Sequence, residues 1–150
     1  MISVKPLYEA HLELADVVSL GRTPFGERRV INILGGTFSG ERLSGRVRSG
    51  GADWQTIRAD GAAEVDARYT LETDKGTLIQ VRSQGLRHGP RDVFARLEAG
   101  ETVDPATYYF RTVLRFETEA AEVDWLNRVI AVAIGTRLRG AVELRVFEVL

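Results

Sequence analysis

Six side chains carry the types and spacings that acid–base chemistry needs: Asp53, Asp66, Arg68, Tyr109, Arg111 and Glu117. Asp66 and Arg68 lie two residues apart, so on a strand they point the same way. Inside an enclosed lumen Arg68 would keep Asp66 ionised, leaving a carboxylate able to orient a ligand hydroxyl or act as a base. On a solvated face the same pair contributes about 0–1 kcal/mol and does no chemistry. Tyr109 and Arg111 share a strand face in the same way, and Glu117 falls on their row. A phenol beside a guanidinium suits recognition of a carboxylate, enolate or phenolate, provided no break in the strand separates them. Asp53 follows Gly50-Gly51. It either caps the backbone N–H groups of a hairpin or presents its carboxylate at a barrel mouth.

Four further residues are candidate ligand contacts. Trp54 either plugs a barrel end or forms a pocket wall. Tyr69 would pack a ligand, although a regular strand puts it on the face opposite Arg68. Trp125 is a core anchor or a ligand contact. Asn127 shares its face with Val129, Ala131 and Ala133, so its amide needs partners if buried. Asn32 poses the same question. His11 and His88 read as surface or rim residues, with no acid and serine arranged as a triad.

The elements that must position these groups are strands. Ala63 to Glu72 alternates apolar and polar residues at period two, a pattern that a two-faced strand explains and a helix does not. Leu7–Leu14, Val30–Leu34, Leu78–Arg82, Tyr108–Phe116 and Ala141–Leu150 read as strands by β-branched and aromatic content. Glycine-containing turns punctuate them at the spacing of sandwiches and barrels. Asp92–Gly100 reads as one or two helical turns closed by glycine. Glu119–Trp125 reads as a short helix, followed by a strand from about Asn127. The expected architecture is one mainly all-β domain over 1–150, an antiparallel closed or nearly closed barrel of about eight to ten strands with one or two short helices. A barrel of about eight strands can hold one small ligand. The polar row through Asp66 and Arg68 faces either water or a polar lumen.

Composition bounds the chemistry. The 150 residues are 44% hydrophobic, enough for one core. Twenty basic and 21 acidic side chains leave a net charge of -1, so no basic field favours nucleic acid. There is no cysteine and there are two histidines, which excludes disulfides, thiolate catalysis, cysteine zinc sites and a three-histidine metal centre. Gly35-Gly36-Thr37-Phe38-Ser39-Gly40 lacks the Lys-Ser/Thr ending of a phosphate loop, and no dinucleotide fingerprint opens a βαβ unit. The expectation is no cofactor, no metal, no nucleic acid and no membrane. Without an export-signal pattern, the expected location is cytoplasmic. Eighteen arginines against two lysines reflect either codon bias or arginines held inside as forks for carboxylate or phenolate groups.

A series of short words carries a family resemblance. Gly35-Gly36-Thr37-Phe38-Ser39-Gly40 comes first, with Leu43-Ser44-Gly45 behind it. Gly50-Gly51-Ala52-Asp53-Trp54 and Asp66-Ala67-Arg68-Tyr69-Thr70-Leu71 follow. Then come Tyr108-Tyr109-Phe110-Arg111-Thr112, Phe116-Glu117-Thr118 and Trp125-Leu126-Asn127-Arg128. In this order and spacing, from about Tyr8 to Val149, the chain resembles uncharacterised protein family 0311, also called domain of unknown function 3237. The resemblance implies a compact antiparallel β-barrel of lipocalin-like or allene-oxide-cyclase-like appearance, self-associating as a homodimer or higher homo-oligomer. It brings no catalytic residue with it.

Three functions fit these observations. The first is a cofactor-independent lyase, isomerase or cyclase acting on a small aromatic or carbonyl-containing metabolite. In it Asp53, Asp66 or Glu117 is the base, and Tyr109, Arg68 and Arg111 stabilise an enolate or alkoxide. The second is a barrel that carries or senses the same kind of ligand. The third is a structural or interaction protein whose polar rows are solvated.

Overall fold

The computed structural model describes residues 1–150. Ten strands form one antiparallel sheet: β1 Val4–Leu14, β2 Val18–Thr23, β3 Gly26–Ser39, β4 Ser44–Val47, β5 Gly51–Ile57, β6 Ala63–Thr73, β7 Leu78–His88, β8 Tyr109–Glu117, β9 Ala131–Leu138 and β10 Ala141–Val149. The sheet closes on itself because β1 pairs both with β10 and with β3. The result is an eight-strand barrel with two extra strands.

The extra strands arise where two wall positions are interrupted. Strand β3 is long, and each of its sides is served by two successive segments. On one side β1 pairs with Ile33–Ser39 and β2 with Gly26–Val30. On the other side β4 pairs with Gly36–Ser39 and β5 with Glu27–Ile33. Gly51 begins β5 where a Cβ would collide with the Arg68 carbonyl oxygen, so only glycine lets β5 lie this close to β6.

The row that faces inward is mainly apolar on the long strands. On β6 it is Ala63, Val65, Ala67, Tyr69 and Leu71, all buried. On β8 it is Phe110, Thr112, Leu114 and Phe116. The alternative in which the Asp66–Arg68 row lines the lumen is therefore corrected. Glu64, Asp66, Arg68, Thr70 and Glu72 stand on the outer face, because burying the apolar row gains far more than burying charge.

The helix expected over Asp92–Gly100 is α1, Arg91–Glu98, which ends before Gly100 in a left-handed conformation (φ 83°). The short helix expected near Glu119 is a 3-10 helix over Ala121–Arg128, and β9 starts at Ala131 rather than near Asn127. The helical turn persists because it drives Val123 and Leu126 into one end of the barrel. No helix is long and apolar enough to cross a membrane.

Candidate functional site

One half of the barrel interior is filled and the other is not. The filled half holds Leu7, Tyr8, Phe38, Leu71, Ile79, Val81, Leu114 and Phe116, with the 3-10 helix as its plug. The other half encloses a cavity of about 180 Å³. Its floor is Tyr69, whose hydroxyl lies 3.4 Å from that of Tyr8. Burial pushes the Tyr69 phenol up to about 12, against the opposing bond to Tyr8. Ala15, Asp16 and Val17 between β1 and β2, with Leu138 and Gly140 at the β9–β10 turn, form the outer rim.

Most of the lining is apolar. Leu12, Ile31, Ile33, Val65, Phe110 and Leu144 contribute to it. Six polar side chains interrupt it: Asp53 and Gln55 from β5, Ser83 and Arg87 from β7, Thr112 from β8 and Arg137 from β9. Each sits where an inward row reaches the open half of the barrel. Asp53 Oδ1 accepts the Asp66 backbone N–H at 3.0 Å, and its Oδ2 accepts Gln55 Nε2 at 2.7 Å. Burial raises the Asp53 pKa. The Gln55 bond, the Asp66 N–H and the positive charge of Arg87 only partly offset that.

Arg87 is 6% exposed, and its guanidinium lies over Phe110 at 5.6 Å and Phe94 of α1 at 5.9 Å. Neither Arg87 nor Arg137 enters an ion pair. Burial first, and the like charge of Arg137 second, pull the Arg87 pKa down to about 10, so it is still charged at neutral pH. Four buried polar atoms of the lining have no partner in the protein: Gln55 Oε1, Arg87 Nε, Thr112 Oγ1 and Arg137 Nη1. Native interiors leave few such atoms, and clusters of them mark places where something else is bound.

The structure brings two of the sequence-derived candidates to this cavity, Asp53 and Tyr69. The others lie elsewhere. Asp66 is on the outer face, its Oδ1 3.8 Å from Arg82 Nε, although its backbone N–H holds Asp53. Arg68 is exposed and stands opposite Arg82 across the β6–β7 ladder. Tyr109, 46% exposed, stacks on His88 at 4.9 Å, and Arg111 lies over its outer side at 5.3 Å while donating to the Phe110 carbonyl. Glu117 is exposed at the end of the same outer row. Trp54 is 44% exposed on the outside of β5. Trp125 sits under the Arg42 guanidinium at 4.3 Å, at the filled end. Asn127 is exposed and clips the Thr118 backbone with two 2.9 Å bonds, which satisfies its amide. Asn32 is exposed as well.

Gln55, Ser83, Arg87, Thr112 and Arg137 were not singled out from the sequence. A signal for them existed. Continuing the apolar row of β7 from Ile79 and Val81 by twos reaches Ser83 and Arg87. Continuing β9 from Ala131 and Ala133 reaches Arg137. Polar residues that break an apolar row point into the lumen, whereas a wholly polar row points out. No group of three or more His, Cys, Asp or Glu side chains is placed to hold a metal ion.

Fold and cavity together define a closed antiparallel barrel with a plugged end and a polar-lined half. The family model for proteins of unknown function DUF3237 matches residues 2–149, and the chain belongs to that family. It is 39% identical over 149 residues to UPF0311 protein RPA1785 of Rhodopseudomonas palustris, covering 99% of this chain and 97% of that one. A UPF0311 protein of Clostridium acetobutylicum is 37% identical over 124 residues, 83% of this chain and 78% of its own. The crystal structure of RPA1785 matches with a TM-score of 0.94 over 100% of this chain and 98% of that chain. A β-barrel-like protein from Acinetobacter baumannii is 41% identical, with a TM-score of 0.87 and coverage of 100% and 97%. A protein described as an enzyme from Penicillium herquei matches at 21% identity and TM-score 0.74, covering 99% and 95%, which is a likeness of fold.

Proposed function

We propose that the open half of the barrel binds a small aromatic or carbonyl-containing metabolite, and that the protein is a cofactor-independent lyase, isomerase or cyclase. The observation that carries this reading is the convergence of unpartnered Gln55, Arg87, Thr112 and Arg137 atoms on one cavity. Each buried, unpaired group costs roughly 1–3 kcal/mol, a cost that a filled apolar core would avoid. Asp53 is the acid–base group. Its raised pKa makes the carboxylate a better proton acceptor than an exposed aspartate. It takes a proton from a carbon next to a carbonyl, the negative charge moves to the carbonyl oxygen, and the arginines stabilise that oxyanion. Returning the proton at another position isomerises the ligand.

A specific observation favours the carrier reading as the second choice. Both Asp53 oxygens already accept hydrogen bonds from the wall, which is what a purely structural carboxylate would do.

Proton exchange tells the two apart without knowledge of a product. Single-ring ketones and 2-oxo acids in heavy water are expected to exchange their α-protons with the wild type and not with Asp53→Asn. Thermal shifts by the same compounds should persist in that variant and vanish when Ala67→Trp fills the cavity. Shifts without exchange leave a carrier. No shift with any compound removes the small-molecule reading.

A further inference from the structure

We propose that the cavity selects a single-ring organic acid, receiving its carboxylate between Arg87 and Arg137 and a hydroxyl of the same ligand at Gln55. This rests on the small-molecule reading above and specifies the ligand's charge, size and polar pattern.

Charge comes first. The fixed charges around the cavity are Arg87, Arg137 and Asp53, with Asp16 exposed at the rim. Arg29, which flanks the two arginines, is already paired with Glu27 and Glu98, each at 3.5 Å. Two guanidinium groups therefore face one inner carboxylate. An added monoanion balances this inner set, and it relieves the repulsion between two arginines that feel Asp53 and Glu98 only at a distance and form no ion pair. A planar guanidinium fork matches the geometry of a carboxylate. Arg87 is more than nine-tenths buried, and its Nε lacks any partner.

Size comes second. A dry apolar cavity of about 150 Å³ accommodates benzene. The cavity here is about 180 Å³, which leaves room for one ring and small substituents, and its aliphatic wall with Phe110 suits a ring. A fused second ring is expected to crowd this space.

The polar pattern comes third. Gln55 Nε2 donates one of its two N–H groups to Asp53, and its acceptor Oε1 is the atom left with no partner. That oxygen requires a donor, which a ligand hydroxyl supplies and a methyl or halogen does not.

Calorimetry with 4-hydroxybenzoate, benzoate, 4-hydroxybenzamide and 6-hydroxy-2-naphthoate tests each part. The hydroxy acid is expected to bind at least ~10-fold more tightly than its neutral amide, and the naphthoate at least ~10-fold more weakly. Arg87→Met and Arg137→Met should each remove the preference for acid over amide while keeping binding of the amide. If acid and amide bind equally to the wild type, the proposal is overturned while the small-molecule site survives. If none of the four binds, the proposal falls, and the compounds of the exchange screen decide separately whether the site survives. The wild-type comparison of ligands stands even if an arginine variant fails to fold.

Discussion

The two halves of this barrel share the same strands and differ in how they treat buried charge. At the filled end Glu148 is 9% exposed, and it is met by Arg42 at 2.6 Å and Lys5 at 3.7 Å. In the open half Arg87 is buried to a similar degree without an ion pair, and its Nε has no partner. The same contrast runs along single strands. Strand β7 passes from Ile79 and Val81 in the packed end to Ser83 and Arg87 at the cavity. Strand β8 runs the other way, from Phe110 and Thr112 at the cavity to Leu114 and Phe116 in the packing. One half is organised to be stable. The other keeps polar groups short of partners, an arrangement that costs stability and is common at binding sites.

The largest expected effect lies in the packed half. Leu114 is fully buried there, and Leu114→Ala should destabilise by about 2–5 kcal/mol in urea unfolding. A loss below about 1 kcal/mol would mean that this end is not the rigid half.

The opposite sign is expected across the boundary. Folding lowers the Arg87 pKa from its ordinary value to about 10, which disfavours the charged form in the native state. As pH falls through that window both states become charged, and below it the native state carries the full cost. Arg87→Met should therefore stabilise the unliganded protein by roughly 1–3 kcal/mol, evenly from about pH 5 to 9. That gain should appear as a higher thermal midpoint. Destabilisation instead would make Arg87 a structural strut and erase the contrast between the halves.

The smallest effect belongs to the outer face. Arg68→Ala and Glu117→Ala should each change stability by no more than about 0.5 kcal/mol and leave ligand binding untouched. A larger loss of binding would move the site to the outside of the barrel.

Much of the architecture was legible. The Ala63–Glu72 alternation matches β6 almost residue for residue, and Asp92–Gly100 overlaps α1 in all but its first residue. The strands that escaped notice were short or glycine-rich. Strand β2 has exposed residues at nearly every position, so no alternation marks it. Strand β5 follows the turn at Gly50 and begins at Gly51, a glycine required by close approach to β6, so the pair reads as a turn alone. The 3-10 helix through Asn127 resisted reading because WLNRVIAVAI is apolar in either conformation, and only the need to plug the barrel end selects helix there.

The site divided along the same line. Asp53 was visible because it follows two glycines, and Tyr69 because it lies in an apolar row. The sequence by itself determined that the chain is strand-rich, that it carries no cysteine chemistry, and that Ala63–Glu72 has one apolar row and one polar row. Tertiary closure decided which row became the lumen. It also decided that Arg87 and Arg137, 50 positions apart in a chain with 18 arginines, would meet inside one cavity. Period two fixes only that alternate side chains oppose each other. Which side loses its water depends on the whole barrel closing over it.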